Sequence, residues 1–160
     1  MPPPRIQIQD VRPQVDCGRY PVKATLGDRV SVSATIFRDG HDALRAVVRH
    51  RPAGARRWQG EVVPDALGRF ELRVQAWVDP YATWLDEYDR KVAAGRSDLD
   101  GELSEGAALF GRGTVEEWRE RAGTLSEAER RESVKGPALA VDVERERARF
   151  GAWYELFPRS

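Results

Sequence analysis

Phe70-Glu71-Leu72-Arg73-Val74-Gln75-Ala76-Trp77-Val78-Asp79-Pro80-Tyr81-Ala82-Thr83-Trp84-Leu85 is the stretch on which the fold turns. Up to Val78 it alternates. Phe70, Leu72, Val74, Ala76 and Val78 share one face while Glu71, Arg73 and Gln75 take the other, the period of a half-buried strand. Near Pro80 the period changes. Tyr81, Trp84, Leu85, Tyr88 and Val92 recur at helical spacing, and Gly95 sits where a helix-ending glycine belongs. Strand chemistry lies before this point and helix chemistry after it.

Upstream, Ile6 and Ile8 alternate with Gln7 and Gln9 until Pro13 and the Gly18 region interrupt. Arg29 to Phe37 is a clear period-2 run, with Val30, Val32, Ala34 and Ile36 on one face. Asp39-Gly40 signals a turn; Leu44, Ala46 and Val48 then alternate with arginines before a second turn at Pro52 to Gly54. Several strands with turn chemistry between them and polar outward faces predict an antiparallel β-sandwich of immunoglobulin-like type.

Downstream, Leu99, Leu103, Ala107 and Phe110 mark a second helix, although the span from Gly95 to Gly113, both included, holds five glycines. Thr114-Val115-Glu116-Glu117 is a capping-box pattern opening a helix through Trp118 and Ala122 to Gly123. Ser126-Glu127-Ala128-Glu129 reads as another, stopped by Gly136-Pro137. The run from Glu127 to Glu132 reads as a solvated helix face, and the largely charged Val141 to Arg149 as a crossing segment. The apolar stripes are thin, so the helices are expected to pack on the sandwich or on another chain. Trp153 to Pro158 reads as a buried strand opening a further unit. The expected fold class is an immunoglobulin-like β-sandwich with an appended or inserted small α-helical bundle. The expected divisions are 1–79 for the sandwich, 80–146 for the helices and 147–160 for the start of another domain.

Lys+Arg and Asp+Glu both number 26, so the net charge is zero and no global field draws in nucleic acid or an anionic membrane. Only Lys23, Lys91 and Lys135 are lysines, an arginine bias that a GC-rich coding sequence explains. Cys17 is alone, so it forms no intrachain disulfide and has no cysteine partner for zinc. No signal-peptide pattern opens the chain and no run of about 18 apolar residues crosses a membrane, so the expected location is the cytoplasm.

Chemistry is sparse. His41 and His50 have no metal-pair spacing, and Asp39-Gly40-His41-Asp42 reads as a polar turn rather than a cation or His-Asp site. No nucleophile elbow, P-loop or dinucleotide glycine pattern occurs, and Gly111-Arg112-Gly113 is too short to cradle a phosphate. No catalytic, cofactor or metal residue is assigned. Trp77, Trp84 and Tyr88 are the candidate sugar-facing or interface aromatics, with Tyr81 beside them; the competing reading makes Trp84 and Tyr88 core residues joining helix to sheet.

Several separated motifs carry a resemblance. Asp10-Val11-Arg12-Pro13, Gly18-Arg19-Tyr20-Pro21-Val22-Lys23, Phe37-Arg38-Asp39-Gly40-His41-Asp42 and Arg51-Pro52-Ala53-Gly54 resemble the N-terminal domain of the α-1,4-glucan:maltose-1-phosphate maltosyltransferases. Gln75-Ala76-Trp77-Val78-Asp79, Thr83-Trp84 and Lys91-Val92-Ala93-Ala94-Gly95 continue it in order, and residues 149–160 look like the entry into that family's catalytic barrel. The match is good over 5–95 and 147–160 and poor over the intervening helices. Between Trp58 and Phe70 the chain is shorter than the family pattern, as though a hairpin were absent.

The resemblance implies a bacterial cytoplasmic enzyme that moves maltosyl units from maltose 1-phosphate to α-1,4-glucans. Its retaining chemistry would use an Asp nucleophile and a Glu acid/base in the barrel, neither of which maps onto these residues. By this likeness the chain would be a non-catalytic assembly domain. Its partners would be its own barrel and a second copy in a homodimer, with α-glucan a possible ligand and no cofactor. The alternatives are a free-standing α-glucan-binding sandwich and an inactive orphan fragment.

Overall fold

The structure, a computed structural model, describes residues 4–52, 62–122 and 130–151, the side chains of 50–52 apart. Among the described residues there are two sheets and three α-helices, a β-rich, sandwich-like fold. In chain order the strands are β1 (Gln7–Arg12), β2 (Val22–Thr25), β3 (Ser33–Phe37), β4 (Leu44–Pro52) and β5 (Gly68–Val78). Helices α1 (Pro80–Ala93), α2 (Asp100–Phe110) and α3 (Val115–Ala122) come next, followed by β6 (Arg131–Lys135) and β7 (Leu139–Glu144). The chain divides into two compact units.

The first unit takes residues from 1–9, 35–47 and 75–135. Its strand portion has a small core of Ile6, Ala76 and Val78, against which Ile8, Ile36, Leu44 and Val134 pack. β1 pairs with β3, while the end of β5 pairs antiparallel with β6 through Gln75↔Lys135 and Ala76↔Val134. Alternation places Ala76 and Val78 inward, as the sequence predicts.

Asp79 joins strand to helix. Its Oδ1 accepts from the Tyr81 and Ala82 backbone N–H groups at 3.0 Å each, an N-cap that satisfies two donors of the first turn. Pro80 follows at a first-turn position, where a missing N–H costs nothing. The Asp79 N–H donates to the Ala43 carbonyl and the Ala43 N–H to Thr83 Oγ1, both at 3.0 Å, pinning the helix start to the chain before β4. At the other end Gly95 adopts φ 72° and its N–H reaches the Val92 carbonyl, as the expected terminating glycine should.

The three helices build a core of their own from Tyr81, Trp84, Phe110, Trp118 and Ala122, all buried. The thin apolar stripes thus meet one another. Few positions are apolar, but each aromatic ring covers far more area than an aliphatic side chain. Trp84 meets Phe110 edge-on at 5.5 Å and Trp118 edge-on at 5.4 Å, while Phe110 and Trp118 stack at 5.6 Å. Gly106 makes this possible. A Cβ there would lie 2.5 Å from Trp84 Cζ2 and 2.6 Å from Trp118 Cζ3. The glycines that weakened the sequence case for α2 include the one that lets it seat two tryptophans.

The Thr114 capping box is present: the Thr114 N–H donates to Glu117 Oε2 at 2.8 Å and the Glu117 N–H to Thr114 Oγ1 at 3.3 Å. Thr114→Ala should therefore lower stability by about 1 kcal/mol, read as a lower urea midpoint with an unchanged slope.

The second unit takes residues from 10–34, 48–74 and 136–160. Its sheet runs β2-β7-β5-β4. β7 lies between β5, antiparallel with Phe70↔Val141 and Leu72↔Leu139, and β2, parallel with Val22↔Val141 and Ala24↔Val143. The sheet is thus mixed rather than wholly antiparallel. Leu139, Val141 and Val143 are buried and alternate with half-buried Ala140, Asp142 and Glu144. Two elements correct the sequence reading. Arg131–Lys135 is a strand where a helix was expected to run on to Gly136, and Leu139–Glu144 is a strand where a charged crossing segment was expected from Val141. Within the long Arg29–Phe37 run only Ser33–Phe37 is laddered, although the Val30 N–H still bonds the Val62 carbonyl at 3.1 Å. The Ser126 capping box and the terminal strand from Trp153 lie outside the described residues.

Candidate functional site

In the first unit, a cleft of about 600 Å³ opens beside α1 and α2. Its apolar part comes from Val78, Pro80, Trp84, Ala108 and Leu109, and its charged rim from Arg5, Arg38, Arg131, Asp42, Glu132, Glu87 and Glu105. Arg38 is the anchor. Its side chain is 4% exposed and lies 3.1 Å from Asp42 and 3.6 Å from Glu132. Arg5 reaches Asp39 at 3.4 Å and Glu132 at 3.8 Å. Glu132 stands at φ 50°, where the β5–β6 register shifts between Ala76 and Val78, and the irregularity carries its carboxylate between the two guanidiniums. A buried guanidinium compensated on two sides favours one arrangement of strand ends.

The aromatics singled out from the sequence are not gathered on one surface. Trp84 is 4% exposed, packs inside the helical core and donates its Nε1–H to the Glu102 carbonyl at 3.2 Å. Tyr88 is half-buried and stacks on Trp84 at 5.1 Å. Trp77 lies apart on β5, 7% exposed, with the Arg130 guanidinium 3.9 Å from its ring centre. That cation–π contact covers one face of the ring. Asp39 and Asp42 serve Arg5 and Arg38, and His41 is exposed on the turn between them. His50 has no described side chain. Among the described residues, no group of three or more His, Cys, Asp or Glu is placed to hold a metal ion.

Sequence reasoning missed the cleft's charged network. Arg38 and Asp42 are four residues apart in a turn, with no periodic element to flag them. In the sequence Glu132 reads as part of a solvated helix face, so nothing there signals its place beside Arg5.

Elsewhere, carboxylates are held ionised by specific partners. Arg119 on α3 hydrogen-bonds Asp89 on α1 and holds its carboxyl below the usual range. Lys91 on α1, 2.5 Å from Glu102 on α2, does the same to that group. In the second unit Arg69 grips Asp142 with two bonds of 2.7 and 2.8 Å and lowers it. Hydrogen bonds from the Thr25 hydroxyl and N–H, with Arg149 nearby, lower Asp28. A depressed folded-state pKa gives stability that is complete above the ordinary carboxylate range and is lost as pH falls through the folded value. Tm should accordingly stay level between about pH 8 and 6 and drop below about pH 4. Scanning calorimetry across that range checks it, and 1 M NaCl should shrink the change at these exposed pairs.

A family model described as alpha-1,4-glucan:maltose-1-phosphate maltosyltransferase, domain N/S, matches residues 4–152. The matched region is thus a domain N/S of the kind found in maltosyltransferases. The chain belongs to the alpha-1,4-glucan:maltose-1-phosphate maltosyltransferase family. It is 35% identical to the enzyme of that name from Myxococcus xanthus over 204 residues, covering 96% of this chain and 30% of that protein. The Rhodospirillum rubrum relative is 35% identical over 213 residues, covering 97% of this chain and 31% of its own. The Mycolicibacterium smegmatis relative is 33% identical over 229 residues, covering 98% and 33%. The chain spans about a third of the length of these curated relatives. An aligned length of 204 positions against a 160-residue chain means that the relative carries stretches this chain lacks. Among the described residues, no helix is long and apolar enough to cross a membrane.

Proposed function

We propose that this chain is the non-catalytic assembly domain of a cytoplasmic maltosyltransferase that moves maltosyl units from maltose 1-phosphate to α-1,4-glucan. The observation that carries the reading is the match of residues 4–152 to a domain N/S model of that family. In this reading the strands form an immunoglobulin-like sandwich and α1–α3 are an insert between β5 and β6. The transferring carboxylates belong to a catalytic barrel that this domain supports, and a homodimer is the working assembly. The interior placement of Trp84, and the arginine laid over Trp77, favour scaffold over a sugar-stacking platform.

The purified chain, incubated with maltose 1-phosphate and maltohexaose, is expected to release no phosphate and to leave the maltohexaose unextended. Sustained turnover by the chain alone, scaling with its concentration, would overturn the non-catalytic assignment.

A further inference from the structure

We draw no further inference here: the strongest candidate, the mixed-charge cleft beside α1 and α2, spends Arg5, Arg38, Asp42 and Glu132 on pairs among its own neighbours, and nothing in the structure shows what would cover its apolar floor.

Discussion

Gly106→Ala should destabilise the helical segment, although alanine is the better helix former. Intrinsic propensity alone favours the change by up to about 1 kcal/mol in a helix interior. The added methyl, however, would sit 2.5 Å from Trp84 Cζ2 and 2.6 Å from Trp118 Cζ3, well inside van der Waals contact. Neither ring can step aside freely. Trp84 is bonded through Nε1 to the Glu102 carbonyl and Trp118 through Nε1 to the Gly111 carbonyl, at 3.2 and 3.1 Å. Overpacking of this kind costs about 1–3 kcal/mol and outweighs the propensity gain, so a net loss of about 2 kcal/mol is expected. Gly101→Ala is the control. It lies in the same helix, its Cβ would meet nothing within 4 Å, and its backbone is ordinary. That substitution should be neutral or stabilising by a few tenths of a kcal/mol. Urea unfolding followed by tryptophan fluorescence separates the two. A Gly106→Ala protein as stable as Gly101→Ala would show that α2 does not sit as closely on the tryptophans as described.

What the sequence made legible follows from how self-contained each signal is. β5 and α1 were readable because each carries its own period, and Asp79-Pro80 punctuates the change between them. The Thr114 box and Gly95 were readable because caps are local hydrogen-bond devices within four residues. β6 was not, because in Arg131-Glu132-Ser133-Val134-Lys135 only Val134 is apolar. What makes this segment a strand is its pairing with β5, a neighbour more than fifty residues away in sequence. β7 does alternate, yet Asp142 and Glu144 on its outer face ran into the charged Arg145 to Arg147 and disguised a central strand as a linker. The same logic hid the cleft. Its Arg38 is recognisable only once Glu132 is beside it, and that depends on a register irregularity rather than on any periodic pattern.

Asp79→Ala should be among the most damaging single substitutions in the first unit, because one side chain performs three tasks there. It is 2% exposed, so nothing replaces it from solvent. Its Oδ1 satisfies two helix N–H groups, and its Oδ2 accepts from Arg45 Nε at 3.1 Å. Loss of an N-cap costs about 1 kcal/mol, and a buried N–H left without its acceptor about 1–3 more, giving about 3 kcal/mol together. The Arg45 pair adds little to this sum. Its side chain is 56% exposed and regains water when the partner is removed. The variants should therefore rank Asp79→Ala worst, Asp79→Asn intermediate and Arg45→Ala mildest. Asparagine keeps one oxygen to cap the helix but turns an N–H₂ group toward an arginine that can only donate. Circular dichroism at the helix band, recorded through a urea titration of each variant, tests that order. If Arg45→Ala proved as costly as Asp79→Ala, the ion pair rather than the cap would be what fastens α1 to the end of β5.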